Sequence, residues 1–188
     1  MPVFSKNNKN YLFVHVPKTG GTSLEVVFAR SGFAAANIDF GGKGTLNHLR
    51  HCPPQHMHGE ELKNQFVLDA FDGIFMVVRK PYNRFQSEYC MAHPVKCDLS
   101  ASAVEAWASK VFSDYAADKY TRDNHIRPQH EFYLPGATVY KFEQGFTNIT
   151  LEISKRYGIM LIREDVREYA RSKHSGISSS DVELNQAV

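Results

Sequence analysis

Val14-His15-Val16-Pro17-Lys18-Thr19-Gly20-Gly21-Thr22-Ser23-Leu24 is the stretch from which the rest of the chain can be read. It opens as the end of a β-rich apolar run, 11–16, which Pro17 stops; a short run of this kind is a buried strand. It closes in a helix, with Thr22 or Ser23 as cap and Leu24, Val27 and Phe28 at helical spacing. Glycines between a strand and a helix let main-chain N–H groups close on an anion, and the helix N-terminus adds partial positive charge. Thr22 and Ser23 add hydroxyl donors and Lys18 a full positive charge, so the parts needed to hold a phosphate-like group are together. The order of residues separates this loop from the G-x-x-x-x-G-K-[ST] nucleotide loop, in which lysine follows the last glycine. Here Lys18 precedes both Gly20 and Gly21, which weakens a kinase or NTPase reading. The plain alternative is a Gly-rich turn with a solvated lysine.

The same grammar returns downstream. Ile74-Phe75-Met76-Val77-Val78 is a continuous apolar run, as expected of a central parallel strand. Arg79 and Lys80 end it, Pro81 stands where a first helical residue tolerates proline, and Tyr82, Phe85 and Tyr89 recur on one helical face. Further helices are expected near 60–66, over 104–115, over 147–157 with Gly158 as the stop, and over 163–171; another strand is expected over 137–142. A Gly-rich stretch at 41–44 and a His-rich stretch at 48–58 lie between the two main units. Alternating strands and helices imply an α/β fold of the P-loop nucleotide-hydrolase type, a three-layer sandwich with a central, mainly parallel sheet. The polar residues 1–10 read as a flexible lead-in, 11–175 as the one domain, and 176–188 as a tail. The helix start at 178–184 stops after a couple of turns, as expected of a chain that continues past Val188.

Composition narrows the function classes. The chain has 188 residues, enough for one well-packed domain. A net charge of +2 is too small to argue for nucleic acid, though it leaves room for a local basic pocket. Cys52, Cys90 and Cys97 are too few and too odd in number for a disulfide framework. Neither a signal segment nor a run of membrane-spanning length is present, and a cytoplasmic protein is expected.

The loop at 14–24 resembles the 5′-phosphosulfate loop of sulfotransferases, and most resembles the branch with Golgi carbohydrate sulfotransferases and small bacterial relatives. The stretch Val77-Val78-Arg79-Lys80-Pro81-Tyr82-Asn83-Arg84-Phe85-Gln86-Ser87-Glu88-Tyr89 is similar to that family's grip on the donor 3′-phosphate. Family residues that make this grip map to Arg79 and Ser87; Lys80 departs from the acidic residue common at its position. A weaker match, Asp123-Asn124-His125-Ile126-Arg127-Pro128-Gln129, resembles a stretch that precedes the last strand in this branch.

The resemblance implies transfer of a sulfuryl group from 3′-phosphoadenosine 5′-phosphosulfate to a hydroxyl-bearing acceptor, most naturally a carbohydrate, without a metal. Pro17, Lys18, Thr19, Gly20, Gly21, Thr22 and Ser23 would hold the 5′ group, and Lys18 would stabilise the leaving phosphate. Arg79 independently offers a planar fork matched to phosphate. Arg84, His125 and Arg127 are further candidates for substrate or donor contact. Transfer needs a general base, and histidine titrates near neutrality. His56 and His58 are the candidates, by analogy with a His-x-His pair in uronyl 2-O-sulfotransferases and with a single histidine five residues before a Glu-Leu pair in smaller relatives. Here Glu61-Leu62 gives His56 that spacing. The alternatives are surface histidines, or a metal site with His51 and Cys52, whose spacing matches no standard zinc pattern. At the level of function, the rivals are a non-catalytic nucleotide-binding module and a nucleotide kinase or NTPase.

Overall fold

The structure, a computed structural model, describes residues 1–39, 49–94, 97–163 and 181–182. In chain order the elements are β1 (Val3–Lys6), β2 (Lys9–Val14), α1 (Gly21–Arg30), β3 (Ala34–Ala36), α2 (Gly59–Gln65), β4 (Gly73–Val78), α3 (Pro81–Ala92), α4 (Ala101–Ala117), β5 (Thr138–Lys141) and α5 (Phe146–Tyr157). The five strands form one sheet in the order β3-β1-β2-β4-β5.

Strands β2, β4 and β5 are parallel, with Phe13 beside Phe75 and Met76 beside Val139. Strand β1 runs antiparallel to both β2 and β3. The sheet is therefore mixed, and the mainly parallel reading holds for β2, β4 and β5 alone. Residues 1–10 are also not a flexible lead-in. They form a hairpin in which Lys6 pairs Lys9, and the two turn residues Asn7 and Asn8 have φ of 53° and 59°. A two-residue type I′ turn needs positive φ at both positions, which asparagine tolerates. The strand of 11–16 shifts to Lys9–Val14, because Val16 turns back to bond the Val14 carbonyl.

Side-chain alternation divides the core. Phe13, Phe75, Val77 and Tyr140 face one side, under Leu24, Val27 and Phe28 of α1 and Ile149 and Ile153 of α5. Leu12, Val14, Ile74 and Met76 face the other, against Leu62 of α2, Phe132 and Leu134. Each fully buried aromatic or aliphatic side chain contributes about 1.5–3 kcal/mol of transfer free energy. A third cluster joins Tyr89 and Cys90 of α3 to Val104 of α4, with Phe85 and Trp107 beside them. Trp107 lies 5.2 Å from the Phe85 ring, so it is packing. Gly158 ends α5 in the left-handed conformation, as expected. Residues 41–44, 164–171 and most of 176–188, which carry expectations for a glycine turn, a helix and a tail, lie outside the described residues.

Candidate donor loop and histidine cleft

Because β2 and β4 are parallel neighbours, the segments that follow them emerge side by side at the carboxyl edge of the sheet. This is where open α/β sheets bind ligands. The first of these segments is the 15–20 loop. Gly20, at φ 83°, is the residue before α1, so the cap is glycine and not Thr22 or Ser23. Both hydroxyl residues instead sit partly exposed in the first helical turn, where the Ser23 and Leu24 N–H groups already donate to the Gly20 carbonyl at 3.1 and 3.3 Å. Lys18 has φ 68°, a left-handed conformation that costs a non-glycine residue about 1–2 kcal/mol. Strain of this kind collects at functional loops. The buried Thr19 hydroxyl donates to the Val16 carbonyl at 2.8 Å, Pro17 is buried, and Lys18 Nζ reaches Met91 Sδ at 3.1 Å.

Gly21 is demanded by packing. A Cβ there would lie 2.1 Å from the His15 ring. That ring is buried and bonds Glu25 through Nδ1 at 2.7 Å. Glu25 of α1 is thus a buried partner of His15.

The second segment begins with Arg79. Its main chain is tied twice to Gln129: Arg79 N donates to Gln129 Oε1 at 2.9 Å, and Gln129 Nε2 donates to the Arg79 carbonyl at 2.8 Å. Its guanidinium lies 4.6 Å from the Phe142 ring centroid and donates through Nη1 to the Lys18 carbonyl at 3.3 Å. Arg79 Nε is buried without a hydrogen-bond partner. Burial pushes this guanidinium down from its ordinary value, with the Glu143 carboxylate acting in the opposite sense. Lys80 is exposed and its N–H is held by Glu143. Ser87 is partly buried on α3.

Arg84 and Arg127 act as braces. Arg84 is buried and donates Nε to the Pro17 carbonyl at 2.9 Å, Nη1 to Arg127 O at 3.0 Å and Nη2 to His125 O at 2.7 Å. All three nitrogens are engaged by main chain, so Arg84 ties the 15–20 loop to the 125–127 turn and does not reach outward. Arg127 is likewise enclosed, bonding Asn124 Oδ1, Glu131 and the Lys119 carbonyl. Neither geometry leaves the guanidinium facing a ligand. The third sequence motif thus supplies Gln129 to hold Arg79 and carbonyls for Arg84 to hold.

The histidines are not equivalent. His58, directly before α2, bonds Tyr120 Oη through Nε2 at 3.3 Å, and its N–H is held by Glu61. Burial, then Arg127, lower its pKa, with the Glu61 and Glu131 carboxylates opposing. His56 lies between His15 and His125, at ring-centroid distances of 5.3 and 4.7 Å. Its Nδ1 is buried without a partner, and burial, then His15 and His125, hold its pKa well below the ordinary histidine value. His56 is a neutral imidazole at pH 7.

His51 is exposed and stacks on Tyr120 at 4.7 Å. Cys52 is buried beside Glu61, and burial with that carboxylate pushes its thiol up to about 12. Among the described residues no three histidine, cysteine, aspartate or glutamate side chains group as metal ligands, and no helix is long and apolar enough to cross a membrane.

Comparison with curated proteins and with solved structures returned no match. A protein-family model described as the sulfotransferase family matches residues 2–183. That span takes in the 15–20 loop, Arg79 with its glutamine brace and the histidine cleft, and with it the chain belongs to the sulfotransferase family.

Proposed function

We propose that the protein transfers a sulfuryl group from 3′-phosphoadenosine 5′-phosphosulfate to a hydroxyl of a carbohydrate acceptor. The observation that carries the donor assignment is Arg79: a half-buried cation with an unpartnered buried Nε, whose Nη1 reaches the Lys18 carbonyl in the loop before α1. A desolvated guanidinium with a spare donor is stabilised by a phosphate, which accepts from a planar fork. Ser87 is the second candidate for the same phosphate. The Gly21 and Thr22 N–H groups that follow Gly20, with the Thr22 and Ser23 hydroxyls, suit the 5′ group.

The chemistry asks for in-line attack and for charge stabilisation on the leaving phosphate. Lys18 answers the second need, as a cation on the loop that holds that phosphate. Proton removal from the acceptor falls to His56, which is neutral and therefore able to accept a proton at pH 7. His58 is the weaker candidate, since Tyr120 and Glu61 already hold it at the start of α2. The test is transfer of labelled sulfate from the donor to a pool of oligosaccharides. Lys18→Ala and His56→Ala are expected to abolish transfer while the fold is retained; full transfer by either variant would sink its assigned role.

A further inference from the structure

Glu88 was not singled out by any motif, yet it is the most enclosed carboxylate at the cleft, 1% exposed in the middle of α3. Its two oxygens are divided. Oε2 receives His125 Nδ1 at 2.6 Å and Oε1 receives Arg122 Nε at 2.8 Å. A carboxylate only accepts, so the proton of a neutral His125 sits on Nδ1 and Nε2 keeps its lone pair. The turn that delivers both partners is strained. Arg122, Asp123 and Asn124 are three consecutive residues at positive φ, 53°, 54° and 67°. Asn124 also donates from Nδ2 to the His56 carbonyl at 2.8 Å, which locks the turn to the histidine segment. Strain of this order persists where surrounding contacts over-determine it.

We infer that Glu88 is a positioning residue that fixes the tautomer of His125, so that His125 Nε2 receives the acceptor's proton after His56 has removed it; this rests on the sulfuryl-transfer reading above. In the balanced step the acceptor O–H bond breaks and its electron pair forms the new O–S bond. The bridging S–O bond breaks with its pair staying on the leaving phosphate. The proton ends on His125 Nε2, and the imidazolium is neutralised by Glu88. His56 has no such partner. Its Nδ1 is orphaned and its surroundings oppose a charge, so it can pass a proton but is a poor place to keep one. Glu88 is ready for the role: burial alone would raise its carboxyl pKa, but the bonds and charges of His125 and Arg122 outweigh this and hold it below the ordinary value. The charged and titratable groups around His125 are Glu88 and Arg84 from α3, His56 from the segment before α2, and Arg122, Asp123 and Arg127 from its own turn.

Imidazole nitrogen NMR on the histidine-labelled protein decides the matter without an acceptor. The expected result is that neutral His125 carries its proton on Nδ1, facing the Glu88 carboxylate. Glu88→Gln is expected to lose that preference, because an amide offers a donor as well as an acceptor, and Arg122→Gln to keep it. A neutral proton on His125 Nε2 in the wild-type protein, or a tautomer unmoved in Glu88→Gln, would overturn the proposal. If Glu88→Gln does not fold, the wild-type tautomer decides alone. Adding 3′-phosphoadenosine 5′-phosphate to the wild-type sample reads the donor site separately: no response of the loop resonances would count against the donor reading and leave the dyad standing.

Discussion

Single atoms decide what the loop can do. At Gly21 a methyl group would enter the space of the His15 ring, which is buried and bonded to Glu25 and cannot swing aside cheaply. Gly21→Ala is therefore expected to destabilise the fold by about 1–3 kcal/mol, read as a lower urea midpoint, and to weaken donor binding by tilting α1. Arg79→Ala should behave differently. The side chain is half-buried with an unsatisfied Nε, so its removal takes away little native bonding. The expected outcome is a nearly unchanged melting temperature with affinity for 3′-phosphoadenosine 5′-phosphate lower by about tenfold to a hundredfold, the worth of a charged hydrogen bond or two. Both residues were legible in the sequence, because glycines after a strand and an arginine ending one are positional signals. His15, Glu25 and Glu88 were not legible as partners, because a pairing across elements leaves no periodic trace.

Among elements, α3 carries the organisation of the site. One of its faces packs Tyr89 and Cys90 into the third core cluster, while Arg84 and Glu88, one turn apart, reach the donor loop and the 122–127 turn. Arg84→Ala would strand three buried main-chain carbonyls, and a loss of about 3 kcal/mol or more is expected by chemical denaturation. Arg84→Lys should not restore it, because an ammonium cannot span three carbonyls that a planar fork reaches together. A lysine variant as stable as the native protein would show that the fork geometry is immaterial. The sequence offered Arg84 as a contact residue but left open what it meets. Helix spacing reports direction and says nothing of the partner.

At the scale of the molecule, the parallel half of the sheet was readable from continuous apolar runs, because β2 and β4 are covered on both sides. The antiparallel half was misread as a loose lead-in. Its strands β1 and β3 are short, β3 lies at the sheet edge, and Asn7-Asn8 carried its hairpin signal. The histidine cleft imposes a pH dependence on the whole fold. His56 and His58 are held below the ordinary histidine value in the folded state, so below about pH 6.5 the unfolded chain binds protons that the fold refuses. Stability must then fall as pH drops, by up to about 1.4 kcal/mol per pH unit for the buried His56 and by less for His58, whose shift solvent and nearby carboxylates screen. Urea unfolding at pH 7, 6 and 5 is expected to show this slope, and His56→Gln to flatten it by one proton. Glu88 works in a lower window: its depressed carboxyl contributes stability above the ordinary carboxylate range that is lost as pH falls through its folded value.

The central claim is that Arg79 and the 15–20 loop form one donor site. Calorimetric titration with 3′-phosphoadenosine 5′-phosphate, alongside adenosine 5′-phosphate and ATP–magnesium, tests it most directly. The account predicts binding that requires the 3′-phosphate and is weakened about tenfold to a hundredfold in Arg79→Ala; equal binding of adenosine 5′-phosphate, preference for ATP–magnesium, or no binding at all would contradict it.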